Sequence, residues 1–183
     1  MEHASSFGGV VDWNSSCRYL GVYFVSGCIF KCCFDHAKSQ FFRSFNAIFS
    51  KIGCFASEEV VISLIHAKCL PVLLYGTEAC HILVRDKRSL QFTVNRSMMK
   101  LFRTSSANIV EDCQKFFHFL PISYLIDIRT AKFLENVVRN YNCVCRLFAH
   151  NAQGSLDKIF LLYGDDISSS CDLRNFITDM FFE

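Results

Sequence analysis

The residues best suited to chemistry are Tyr163-Gly164-Asp165-Asp166, which close the apolar run "LLYGDD". Two adjacent carboxylates in a hairpin turn between apolar strands can hold a pair of divalent metal ions for nucleotidyl transfer. Here "ISSSCD" follows, which is a loop and helix-cap signal, and no third carboxylate is evident on an upstream strand. A helix ending near Tyr163, with Gly164 as its C′ residue and Asp165-Asp166 in the turn, accounts for the same letters. The expectation is therefore a helix end, with no catalytic residue assigned.

Metal and thiol chemistry fare no better. Cys28, Cys32, Cys33 and His36 form C-x3-C-C-x2-H, and Cys143 and Cys145 add a distant pair. Structural zinc prefers two close pairs with matched loops. These groups are far apart in the chain and set among apolar positions, so no metal and no other cofactor is expected. Eleven cysteines in 183 residues form an odd set, and Cys54, Cys69, Cys80 and Cys113 have apolar neighbours. Reduced, mostly buried thiols of an intracellular protein are the expectation. Cys80 and His81 are adjacent and so face apart, and no Gly-rich oxyanion loop accompanies them. Phosphate loops of the Walker or Gly-x-Gly-x-x-Gly type are absent from the sequence.

One segment carries a physical signal for binding. At about 100° per residue, Arg85, Arg88, Arg96, Lys100 and Arg103 fall within about 120° on a helix over 85–103. Leu90, Val94, Met98, Leu101 and Phe102 fall on the other side, while Phe92 and Met99 point into the basic face. Asp86 is the only acid of the segment. Such a face can track a phosphate backbone while an apolar side chain covers a sugar or base. The plain alternative is a solvated helix whose cations meet acids elsewhere in the fold. A second, weaker set is Lys31, Lys38, Arg43 and Lys51 around the preceding helix, read as ordinary helix surface.

The elements that must position these residues are mainly helical. Apolar residues make up 51% and charged residues 20%, which describes a folding chain with a core. Phe is unusually frequent, at 20, and many of these rings must be buried. A net charge of +2 is too weak to identify a nucleic-acid binder by itself, so local clustering has to carry that argument. Residues 18–25 and 28–34 read as a β-hairpin turning at Ser26-Gly27. From Asp35, Ala37, Phe41, Phe45, Ile48 and Phe49 repeat at helical spacing, and Gly53 reads as a C′ stop. Ser57 caps "EEVVISLIHAKCL", Pro71 starts another short segment, and Asp86 caps "KRSLQFTVNRSMMKLFR". "ANIVEDCQKFFHF" reads as a further helix, and Pro121 opens a long one over 121–148. Weaker helices lie near 155–162 and 171–182. The opening "MEHASSFGGVV" lacks the features of a signal peptide, and no apolar run is long enough to span a membrane.

From "CRYLGVYF" onward the sequence resembles the reverse transcriptase of LINE-type (non-LTR) retrotransposons. The likeness continues through "FDHAKSQFFRSFNAIFSKIG", "LIHAKCLPVLLYGTEAC", "SLQFTVNRSMMKLFRT" and "DIRTAKFLENV", in the family's order, over roughly residues 17–150. "LPVLLYG" followed by Glu78 is its most specific single block. The resemblance implies the late palm strand over 1–34, a helical thumb-like domain over 35–150, and a C-terminal helical extension over 151–183. In such enzymes this region grips the template–primer duplex by its backbone. The family's metal-binding carboxylates precede the Tyr-Leu-Gly-Val strand, yet Glu2 and Asp12 are the only acids before Tyr19 and neither has the catalytic setting. The resemblance thus implies a truncated, non-catalytic piece binding an RNA or DNA duplex through Arg85, Arg88, Phe92, Arg96, Lys100 and Arg103. The alternative is a helical interaction module or an unselected remnant whose exposed apolar surface meets a protein partner. No membrane partner is expected.

Overall fold

The computed structural model describes residues 5–6, 9–10, 14–28, 31–53 and 55–183. Glu2, Asp12 and Cys54, weighed above, lie outside the described residues. The backbone pairs β1 (Ser5–Ser6) with β2 (Gly9–Val10), and a three-stranded antiparallel sheet follows, with β4 at its centre. Its strands are β3 (Ser16–Tyr19), β4 (Val22–Val25) and β5 (Lys31–Cys33). The expected hairpin therefore gains a turn. Tyr19 pairs with Val22 across Leu20-Gly21, whose φ values of 46° and 84° place both central residues in the left-handed region. Two such residues make the tight turn whose twist suits a two-residue hairpin. The connection holding Ser26-Gly27 also turns the chain as expected, since β4 pairs with β5 and Val25 faces Lys31 across it; the added turn at Leu20-Gly21 has no ready signal because leucine is a poor left-handed residue.

The rest is helical. Helix α1 (Asp35–Ile52) buries Phe41 and Phe45, with Ile48 and Phe49 half-buried on the expected stripe. Gly53 ends it, but with φ −62°, so no left-handed cap is formed. Glycine is suited to that position by space: a Cβ would lie 2.5 Å from the Phe49 carbonyl oxygen. Helices α2 (Glu58–Leu64) and α3 (Leu70–Leu73) are joined by a π-helical turn, Ile65–Cys69, where the Leu70 N–H donates to the Ile65 carbonyl. Pro71 stands in the first turn of α3, as the start of a short segment expected there, and the widened turn before it accommodates a ring that lacks an N–H and would crowd a regular α-helix.

Helices α4 (Val84–Leu101) and α5 (Ala107–Phe116) follow. Asp86 lies in the first turn of α4 rather than capping it, and the N-cap is Leu83. The single helix expected over 121–148 is two, α6 (Ile122–Arg139) and α7 (Cys143–Tyr163). Asn140 and Asn142 break it: the Asn142 side chain accepts the Val144 N–H at 2.9 Å, and Asn140 accepts the Asn142 N–H at 3.0 Å. Asparagine competes for backbone groups and favours caps, which outweighs the apolar period running through it. The helix expected at 155–162 is the second half of α7, and α8 (Ser170–Phe182) closes the chain.

Two buried clusters result. The larger draws on α1, the π turn, α4, α5 and the first half of α6, centred on Phe41, Phe45, Leu90, Val94, Phe119 and Ile126. The smaller joins the second half of α6 to α7 and α8 through Ala131, Leu156, Phe160, Leu173 and Ile177. The fold is mainly α with a small N-terminal antiparallel sheet. Residue 35 opens α1, whereas residue 150 falls inside α7.

Candidate nucleic-acid interface

Helix α4 is seated by Leu90, Val94, Met98 and Leu101, all buried at helical spacing. Two small hydroxyl residues share that face. Thr93 donates to the Ser89 carbonyl and Ser97 to the Thr93 carbonyl, so neither hydroxyl is left unpaired in the core. The opposite face is open, and Arg85, Arg88, Phe92, Arg96 and Lys100 are all exposed on it, Phe92 at 61%. Arg103 is exposed too, but it lies beyond the helix end with φ 53°. Met99, expected on the basic face, is half-buried against the larger cluster.

The plain alternative required acids elsewhere in the fold to meet these cations. Among the described residues, Arg88, Arg96 and Arg103 make no ion pair, and Arg85 has only its neighbour Asp86 at 3.7 Å. Lys100 is held by Asn46 at 3.0 Å and sits over the rings of Phe49 and Phe45, at 5.1 and 5.8 Å. Those contacts fix the ammonium without neutralising it. Lys87 departs from the basic face altogether and pairs with Asp127 on α6.

Helix α1 lies beside α4 and brings the second basic set into play. Lys38 donates to Ser89 at 3.0 Å and pairs with Asp35 at 2.6 Å. Two adjoining clefts of about 230 and 430 Å³ share Asp35, Lys38 and Ser89. Lys31 and Arg85 line one; Phe42, Phe92 and Arg96 line the other. Together they form a groove with cations on both walls, Lys38 and Ser89 at the junction and the exposed Phe92 ring in the second cleft. Asp35 and Asp86 also line it. The hydrogen bond from Lys38, helped by one from Cys33, holds the Asp35 carboxyl below its ordinary range. In sequence Lys31 and Lys38 read as plain helix surface; their meeting with α4 is tertiary and has no local sequence signal. Arg43 and Lys51 are exposed but do not line the groove.

Other sequence features have structural duties. Tyr163 ends α7, Gly164 follows with φ 148°, and Asp165 and Asp166 are exposed in the turn. The Tyr163 hydroxyl donates to Asp127 at 2.8 Å, and burial followed by the Asp127 charge pushes its pKa up. Tyr75 donates to the Leu20 carbonyl at 3.0 Å and approaches Gly21, while a Cβ on Gly76 would lie 2.7 Å from Val22. "YLGV" and "LLYG" therefore meet in space. Glu78 pairs with Arg129 at 3.5 Å.

The thiols are less buried than expected: Cys69 is buried, Cys80 and Cys113 are half-buried, and Cys17, Cys28, Cys143 and Cys171 are exposed. Burial raises Cys69 to about 11 and Cys80 to about 12, so neither is a ready nucleophile. No cluster of three metal-ligating side chains occurs among the described residues. Among the described residues no helix is long and apolar enough to cross a membrane. Comparison with family models, with curated proteins and with solved structures returns no match.

Proposed function

We propose that the chain binds nucleic acid by its backbone along the exposed face of α4, where Arg88, Lys100 and Arg103 lie outside the adjoining α1–α4 groove and Arg85 and Arg96 line it, as the thumb surface of a LINE-type reverse transcriptase would, with no catalytic step assigned to it. The observation that carries this reading is the run of exposed cations on α4, of which Arg88, Arg96 and Arg103 have no acid partner among the described residues. From Arg85 to Arg96 the helix advances about 16 Å. That is roughly five steps of a duplex strand at about 3.4 Å each. Phe92, between the cations, gives a sugar or an unpaired base an apolar face.

The test is a salt series with a short RNA–DNA duplex. The expected log–log slope is steeper than about −3, the signature of several phosphate contacts. Replacing Arg88, Arg96 and Lys100 by Ala is expected to flatten that slope by about 2 to 3 and leave the circular dichroism unchanged. Equal affinity in the triple variant would exclude this surface.

A second reading, a helical protein-interaction module, is favoured by one observation. Leu147 is 79% exposed, and Phe148, Leu161 and Leu162 are also exposed along α7. Duplex binding no tighter than that of a charge-matched control protein would leave this reading standing.

A further inference from the structure

We propose that the cleft between α3, α6 and α8 is a binding site for an anionic amphiphile, an aliphatic carboxylate of medium chain length. The cleft holds about 520 Å³, within the range of small-molecule sites, and lies where the two buried clusters adjoin. Its position is independent of the α1–α4 groove, and the inference does not rest on the nucleic-acid reading.

Two helix faces form its length. On α6, Leu125, Ile128, Arg129 and Lys132 recur at helical spacing; on α8, Arg174, Thr178 and Phe182 do the same. The helices run antiparallel. Glu135 meets Ser170 at one end, and the rings of Tyr124 and Phe181 lie 6.0 Å apart at the other. That direction sets Lys132 opposite Arg174 and Leu125 opposite Phe182. The cleft is therefore polarised along its axis, cationic at one end and apolar at the other.

The apolar end is mostly aliphatic. Leu70, Pro71 and Leu74 from the α3 region supply the facing wall, Leu120 adds to it, and His66 stands beside them with its ring edge-on to Phe119. The rings of Phe182 and His118, 4.9 Å apart and edge-on, engage each other rather than offering a slot for a planar base. At the cationic end, Arg129 is already met by Glu78 at 3.5 Å. Lys132 and Arg174 make no ion pair among the described residues, and no acid lines the cleft. Two uncompensated cations above an aliphatic trough fit a carboxylate head on a hydrocarbon tail.

The experiment is calorimetric titration of the full chain with dodecanoate below its micelle concentration, alongside decanoate, octanoate and dodecanol. Saturable binding of one dodecanoate is expected, weakening about four-fold for each methylene removed. Dodecanol is expected to bind more weakly. In Lys132→Ala/Arg174→Ala, dodecanoate affinity is expected to fall about tenfold, with dodecanol affinity and circular dichroism unchanged. Affinity independent of chain length, or equal dodecanoate affinity in the double variant, overturns the site. So does a double variant that loses duplex binding in a protein that never binds dodecanoate, which assigns the cations to nucleic acid. Arg88→Ala/Arg96→Ala/Lys100→Ala is expected to bind dodecanoate normally, which separates the failure of either proposal from the other.

Discussion

Arg103 and His118 hold left-handed backbone, with φ 53° and 51°, at equivalent places after α4 and α5. In each case the next residue returns its N–H to a carbonyl in the last turn, Thr104 to Met99 and Phe119 to Gln114. This is the hydrogen-bond pattern of a Schellman cap, normally built on glycine. A side chain at such a position costs about 1 kcal/mol or more. Arg103→Gly is thus expected to raise the urea midpoint by an amount equivalent to about 1 kcal/mol while weakening duplex binding. A lower midpoint would show that the Arg103 side chain stabilises the fold. Tyr163 offers a pH test. Its pKa is raised in the folded protein, so above its ordinary value of 10.0 the unfolded chain releases the phenolic proton while the folded one retains it. The native state then binds more protons, and stability falls as pH rises past about 10. Tyr163→Phe is expected to cost about 1 kcal/mol at pH 7. The gap to the parent should narrow above pH 10, read by denaturation at both pH values. A constant gap would remove the linkage.

At the scale of elements, α4 was legible because its two faces separate at a period of 3.6: Leu90, Val94, Met98 and Leu101 are buried and the basic-face cations exposed as the spacing required, with Met99 the exception. The groove it forms with Lys31 and Lys38 was not legible, since it depends on which helix lies alongside. The break between α6 and α7 was missed for another reason: apolar periodicity continues through Asn140-Tyr141-Asn142, and only cap chemistry marks the end. The exposure of Tyr141, 94%, shows how little packing the junction has. The start of α8 is fixed from a distance in the same way. Glu135 on α6 accepts the Ser170 N–H at 2.6 Å and the Ser170 hydroxyl at 2.7 Å. The carboxylate satisfies an orphan donor and lies at the positive end of the helix. Glu135→Ala is expected to cost about 1 to 2 kcal/mol in thermal denaturation, with Glu135→Gln recovering part of it. If both variants match the parent, the cap contributes nothing to stability.

At the scale of the whole molecule, the question is whether the two buried clusters melt together. Every member of the larger lies between Phe34 and Ile126, and every member of the smaller between Ala131 and Ile177. They are joined by the continuous backbone of α6, by Leu120 and Tyr124, which pack against the smaller cluster, and by a few side-chain links: Asp127 with Lys87 and Tyr163, Glu78 with Arg129, and His118 against Phe182. Lys87 and Asp127 are 27% and 15% exposed, and Arg129 and Glu78 are 41% and 28% exposed, so water weakens these links. Apolar burial within each cluster is the stronger bond. Leu173, fully buried on α8, tests the hierarchy. Leu173→Ala is expected to cost about 3 kcal/mol. That is a large share of a typical domain's total of about 5 to 15 kcal/mol. Because the loss falls in the smaller cluster, amide hydrogen exchange should accelerate across α7 and α8 well before α1 and α4. The groove on α1 and α4 rests on the larger cluster, so duplex affinity at low temperature should be unchanged. Leu90→Ala, beneath the groove, should instead weaken both exchange protection in α4 and binding. Uniform acceleration in Leu173→Ala, α1 and α4 included, would mean that α6 transmits the defect fully and that the chain unfolds as one cooperative unit.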